Sequence, residues 1–404
     1  MSPSMSSDTR TTADLIDVIA KQSQEPLSSA TTLPGAAYID ADYYKVETRR
    51  VLHSDWVPAA RVEQVPEVGN FVTVDIAGEA LVVVRGTDDQ IRVLSRVCRH
   101  RYADVLANTQ GEVPESGCLD NFSCPYHMWT YRLDGSLINA VDFAGREGFD
   151  PASYGLREIK SEIWQGFVFV NLDDDSERPL GMEVLDEALG NYDFTNWRLV
   201  ATSDWGNLPS NWKVAMENAL EFYHHIGAHL VTLESVMPGL GTRLYDGSRG
   251  DHVYYSKCPI SADAAAGEVD GYLQPTLMGL GAPEITPSER SDFIFTVRFP
   301  LLILAAAPDF SFWLQLLPTG PETHIFKVHV LAPNSTAEGT TDEHIARAVD
   351  MFQAIQGEDA AVNERVQAMF HSERAVGGVF HEQELPLLQL QRYLAGLLTE
   401  EVRG

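Results

Sequence analysis

Two sets of metal-binding side chains stand in this chain, and they differ in chemistry. Cys98-Arg99-His100 is followed by Cys124-Pro125-Tyr126-His127, so each half contributes one thiol and one imidazole. A zinc finger usually puts its cysteines in one ligand turn and its histidines in the other. An iron–sulfur centre can instead take two thiolates on one iron and two imidazoles on the second. The mixed halves favour the cluster. Further along, Asn211-Trp212-Lys213 opens a segment holding Glu217, Asn218, Glu221, Tyr223, His224, His225 and His229. Two histidines and a carboxylate suffice to hold a mononuclear Fe(II) with positions left open. The chain thus has the ligands for an electron entry port and for an oxygen-activating metal.

Short β elements must position the first set. Alternating runs predict strands over Phe71 to Ile76, Ala80 to Arg85 and Ile91 to Val97, and the first ligand pair follows the third at once. The second pair precedes Trp129 to Leu133, an Asp134-Gly135 turn and Ser136 to Ala140, so both pairs would sit at hairpin tips. The intervening Gly111 to Gly117 reads as an inserted loop, and Cys118 and Cys258 as inert thiols.

A helix starting at Pro209-Ser210-Asn211 and running through Tyr223 must position the second set. On it Glu221 and His224 share a face, while Glu217, Glu221 and His225 fall in steps of four. Spacing alone selects His225 and His229, an i, i+4 pair, as the imidazole ligands. The carboxylate must come from elsewhere. A helix from Thr341 to about Phe370 has the apolar stripe Ile345, Val349, Phe352, Ile355, Val362, Val366 and Met369, with Glu358 and Asp359 near it and Glu364 off it. Between the two helices, strands are expected over Phe293 to Phe299, Leu301 to Ala306, Phe310 to Leu317 and His324 to Leu331.

The chain of 404 residues exceeds what one core usually organises. Its 58 acidic against 29 basic residues give a net charge of −29, which repels nucleic acid and anionic membranes. Solubility explains such acidity better than a docking surface for a basic electron-transfer partner. No apolar run is long enough to cross a bilayer and no secretory signal opens the chain, so a cytoplasmic location is expected. No Gly-x-Gly-x-x-Gly in a βαβ context is present to take a dinucleotide.

Taken in order, these motifs resemble the large (alpha) subunits of Rieske non-haem iron oxygenases, the aromatic-ring-hydroxylating oxygenases. The resemblance rests on the two cysteine–histidine pairs, Asn211-Trp212-Lys213, Glu221-x-x-His224-x-x-x-x-His229, and Gly357-Glu358-Asp359 ahead of Glu364-Arg365-Val366-Gln367. It covers most of the chain. It departs at Tyr102 and Met128, where the family usually has Gly, and at Glu221, where Asp is commoner.

The resemblance implies an α+β chain: a mobile N-terminal arm over 1–37, a β-rich Rieske [2Fe–2S] domain with a leading helix over 38–172, and a helix-grip catalytic domain with a curved antiparallel sheet over 173–404. It assigns Cys98, His100, Cys124 and His127 to the cluster, and His224, His229 and Asp359 to Fe(II), with His225 packed behind. Glu221 would link His224 to His127 of the partner subunit in a homotrimer. A reductase, with or without a ferredoxin, would bring electrons from NAD(P)H through its own flavin, and O2 would be the co-substrate. The product would be a hydroxylated or demethylated small aromatic or amine. Two other classes stay open: a Cys2His2 zinc-stabilised binding protein or hydrolase, which would be colourless, and a Rieske electron carrier, which would not couple oxygen uptake to a substrate.

Overall fold

The computed structural model describes residues 11–245, 252–265, 285–286 and 289–400. They form two compact units, one of residues 52–180 and one of the described residues within 11–51 and 181–400. No helix among the described residues is long and apolar enough to cross a membrane.

The 52–180 unit is built on antiparallel strands whose valine-rich runs suit a pleated, half-buried surface. Its seven-stranded sheet has the spatial order Val57–Arg61, Phe167–Asn171, Glu158–Trp164, Ile91–Ser95, Glu79–Arg85, Asn70–Ile76, Ser116–Cys118. Ala77 and Gly78, both at positive φ, make the two-residue hairpin turn between the Asn70–Ile76 and Glu79–Arg85 strands. The expected loop Gly111 to Gly117 is a loop only at its start. Ser116–Cys118 pairs with Asn70, Phe71 and Val72 as an edge strand, which leaves Cys118 exposed. A smaller sheet joins Phe122–Ser123, Thr130–Tyr131 and Leu137–Asn139. The two ligand loops lead out of the Ile91–Ser95 strand and across the Phe122–Ser123/Thr130–Tyr131 hairpin.

The second unit holds a curled sheet of seven strands, in the order Trp197–Leu208, Thr323–Pro333, Ser311–Gly320, Leu302–Ala306, Asp292–Arg298, Val253–Pro259, Arg243–Leu244. The helices Trp212–Leu220 and Asp342–Met369 pack on each other and on this sheet. The sequence pattern is corrected at three places. Residues 12–23 form a helix that packs on the C-terminal helix Leu385–Thr399 and buries Leu15 and Ile19. The N-terminal stretch is therefore part of this unit from Thr12 to Val51, including the short helices expected to lead the other one. The partner that covers Leu15 and Ile19 lies at the far end of the chain, where local periodicity cannot show it.

The helix expected through Tyr223 stops at Leu220. Glu221 is extended, and Tyr223–Ile226 form a separate 3-10 turn. In the long helix, the buried face of the second half is polar. After Ile355 it runs through Asp359, Asn363 and Gln367, while Val362, Val366 and Met369 are exposed.

Candidate active site

The two cysteine–histidine loops are built alike. Cys98 N–H donates to the carbonyl of Ala103, and Cys124 N–H to that of Trp129; Tyr102 N–H donates to Cys98 O, and Met128 N–H to Cys124 O. Each loop thus closes on its cysteine with a residue four places on, and that residue has positive φ: +62° at Tyr102 and +57° at Met128. Glycine takes this conformation without strain, and the two substitutes tolerate it with their side chains in solvent.

Both thiols are buried in the core of the unit beside Trp129 and Tyr131. The Cys98 sulfur lies 3.2 Å from the Tyr131 hydroxyl, and that oxygen also accepts the Arg99 N–H at 3.1 Å. The His100 and His127 rings are 4.6 Å apart, with His100 stacked on Trp129. Their two Nδ1 atoms are buried and have no hydrogen-bond partner among the described residues. Desolvation, and then His127 and Arg101, lower the His100 pKa and favour the neutral ring that can donate a lone pair. Two buried thiols beside two orphaned imidazole nitrogens fit a [2Fe–2S] group of the mixed-ligand type.

Asn211-Trp212-Lys213 ties the second centre to the N-terminal segment. Asn211 caps the helix by accepting the Lys213 N–H at 2.9 Å, and its amide donates to Pro321 O and Tyr38 O. Trp212 Nε1 and Lys213 Nζ both donate to the fully buried Glu47, at 3.0 and 2.8 Å. Gln367, at the end of the polar face of the long helix, accepts the Asn211 N–H and donates to Tyr38 O. The motif orients the helix that ends at Leu220, just before Glu221. Sequence alone gave no reason for these residue types, because Glu47, Tyr38 and Gln367 are remote in the chain.

His224, His229 and Asp359 converge, with their ligand atoms within 4.8 Å of one another. Asp359 Oδ1 lies 2.7 Å from His229 Nε2 and 3.6 Å from His224 Nε2. The opposite ring nitrogens are held by carboxylates: His224 Nδ1 donates to Glu221 at 2.9 Å, and His229 Nδ1 to Glu358 at 2.7 Å. Thr232 hydroxyl donates to the same Glu358 oxygen at 2.6 Å, and Gln356 donates to Asp359. His225 turns aside and donates through Nδ1 to Met237 O; burial, then His224, push its pKa down to about 3. Burial alone would also lower His229, but the hydrogen bonds and charges of Asp359 and Glu358 outweigh it and shift the pKa upward. Three carboxylates around two imidazoles make a site that favours a cation, and the donor set suits Fe(II). Glu358, weighed in the sequence as a ligand, instead supports one; only the chain folded shows which of two adjacent acids faces Nε2.

The triad lines the floor of a cavity with about 810 Å³ of empty space, part of it open to solvent. Its walls are mostly apolar, including Phe222, Phe295, Phe312, Phe326 and Phe352, with Ile303 and Leu314 from the sheet. Ile303 and Phe312 both face it. Leu302 and Trp313, their neighbours in the strands, point to the other face and are fully buried.

Residues 191–400, just over half of the chain, match the family model of the ring hydroxylating alpha subunit (catalytic domain), and residues 55–146 match that of the Rieske [2Fe-2S] domain. The glycine betaine monooxygenase oxygenase subunit of Pseudomonas aeruginosa is 32% identical over 213 residues, covering 51% of this chain and 46% of that protein. The carnitine monooxygenase oxygenase subunit of Escherichia coli is 31% identical over 206 residues, 50% of this chain and 52% of its own. The matches thus span about half the length of these curated relatives. Among solved structures, the quaternary ammonium Rieske monooxygenase CntA with L-carnitine superposes with a TM-score of 0.72 at 21% identity, covering 95% of this chain and 98% of that one. Naphthalene 1,2-dioxygenase from Rhodococcus sp. gives 0.73 at 19%, with the same coverage. These two likenesses bear on the fold. The chain belongs to the ring-hydroxylating alpha-subunit family, with a Rieske [2Fe–2S] domain preceding its catalytic domain.

Proposed function

We propose that this chain is the terminal oxygenase component of a Rieske system, which inserts oxygen from O2 into a small organic molecule by hydroxylation or oxidative demethylation. The observation that carries the reading is a triad of two histidines and one aspartate on the floor of an apolar cavity. Cys98, His100, Cys124 and His127 would hold the cluster, and His224, His229 and Asp359 the Fe(II). When bound, these groups supply one-electron transfer and open coordination positions for dioxygen.

The protein's own part is positional. Glu221 and Glu358 keep a proton on each Nδ1, so that both Nε2 lone pairs face Asp359. The phenyl walls remove water from the substrate's reacting carbon. Glu221, which also accepts the His224 N–H at 3.0 Å, is the group assigned to join this site to the cluster held by a partner subunit of a trimer. NAD(P)H and flavin belong to a reductase partner, with or without a ferredoxin, and the system operates in the cytoplasm. Oxygen uptake with a reductase, dependent on an added substrate and matched by an oxygenated product in mass spectrometry, supports the reading. Electron transfer with no substrate oxidation would show a carrier instead, and bound zinc without visible absorption a zinc protein.

A further inference from the structure

The polar groups lining the cavity are almost all committed. Glu221 is bound to His224, Gln356 to Asp359, His225 to Met237 O, and His324 donates through Nδ1 to Ser210 O at 2.7 Å. Besides the buried Nε2 of His324, which has no partner among the described residues, two carboxamides are left. Asn218 and Asn363 both line the cavity and hydrogen-bond through their side chains to nothing among the described residues. Asn363 is only 9% exposed, in the interior of the long helix. An asparagine there weakens the helix relative to leucine, and its amide reaches the cavity with no partner among the described residues. It stands one turn beyond Asp359 and one turn before Gln367, and each of those neighbours has its own hydrogen bonds.

We propose that Asn363 is the residue that selects the substrate, by pairing with an uncharged hydroxyl, carbonyl or amide group on a molecule whose body is an apolar ring. The inference rests on the oxygenase reading and names the substrate class for it. A carboxamide presents one acceptor and two donor hydrogens, so a neutral group that both gives and takes a hydrogen bond satisfies it. A carboxylate finds no lysine or arginine among the described lining residues. A quaternary ammonium ion could stack on the phenyl faces, but it has no lone pair for the two donor hydrogens of the carboxamide and would leave Asn363 unsatisfied. The phenylalanines suit a ring.

Four probes with a common phenyl body separate these cases: toluene, benzyl alcohol, benzoate and benzyltrimethylammonium. Dissociation constants are measured by calorimetry on the metal-loaded protein. Benzyl alcohol should bind most tightly of the four. In Asn363→Leu, close in size, its affinity should fall on the order of tenfold while toluene changes by less than about twofold. Tighter binding of benzoate or the ammonium ion, undetectable binding of benzyl alcohol, or an unchanged benzyl alcohol constant in the variant would each overturn the proposal. Cluster absorption and iron content are checked first, with Asn363→Ala as a second variant; loss of iron in both would make Asn363 structural and reject the role. Absence of cluster or iron from the wild-type protein would reject the oxygenase reading itself, whatever the four constants are.

Discussion

Glu221 and Glu358 each accept a proton-bearing Nδ1 from one of the converging histidines, and the proposed function gives them different tasks. Glu358 shares its oxygen with Thr232 and holds His229 in place, so Glu358→Ala should lower iron affinity by about 10- to 100-fold, measured by chelator competition, with the cluster spectrum unchanged. Glu221→Gln keeps the shape at His224 and should retain both metals while slowing substrate-dependent oxidation of the reduced cluster in rapid mixing. A wild-type rate would deny Glu221 its connecting task. At the cluster loops, Tyr102 holds a left-handed backbone conformation. Tyr102→Gly should therefore leave stability within about 1 kcal/mol, whereas β-branched Tyr102→Val should cost about 1–2 kcal/mol by denaturant melting. That the ligand types would gather was legible from Cys98 to His229. The choice between His224 and His225 was not, since i, i+4 spacing presupposes a straight helix and this one ends at Leu220.

At the level of elements, the strands were readable as short apolar runs between turn signals, although Leu302–Ala306 is buried along its whole length and has no alternation to read. The long helix, read as Thr341 to about Phe370, is found over Asp342–Met369 with Thr341 as its cap, but its buried face was read wrongly. Beyond Ile355 the side facing the cavity needs ligands and hydrogen bonds more than hydrophobic cover. An apolar stripe search is blind to that need, and steps of four through Asp359, Asn363 and Gln367 were the available signal. The helix Trp212–Leu220 is moored by a buried charge cluster in which Tyr38 donates to both oxygens of Glu217. Burial, partly offset by Tyr38 and Lys213, raises the Glu217 pKa from 4.5 to about 7. The folded protein then holds this proton more tightly than the unfolded chain does. Its contribution to stability is full below about pH 4.5 and is lost as pH rises through about 7. Glu217→Gln should flatten that part of the thermal-melting curve against pH; an unaltered slope would place the titration elsewhere.

For the molecule as a whole, the division of labour was legible from motif order, but the membership of the N-terminal segment was not. Leu15 and Ile19 are covered by the C-terminal helix, and Glu47 answers Lys213, so contacts between distant parts of the chain decide where it belongs. Ile19→Ala should consequently destabilise the catalytic unit by about 2–4 kcal/mol in denaturant unfolding. The central claim is that one chain holds two separable iron centres, and the direct measurement is an iron and sulfide count with a visible spectrum for wild type and Asp359→Ala. The wild-type protein should hold about three irons and about two sulfides per chain, and the variant about one iron fewer with the same cluster absorption. Full iron retention in Asp359→Ala, or loss of the cluster spectrum together with that iron, would contradict the assignment.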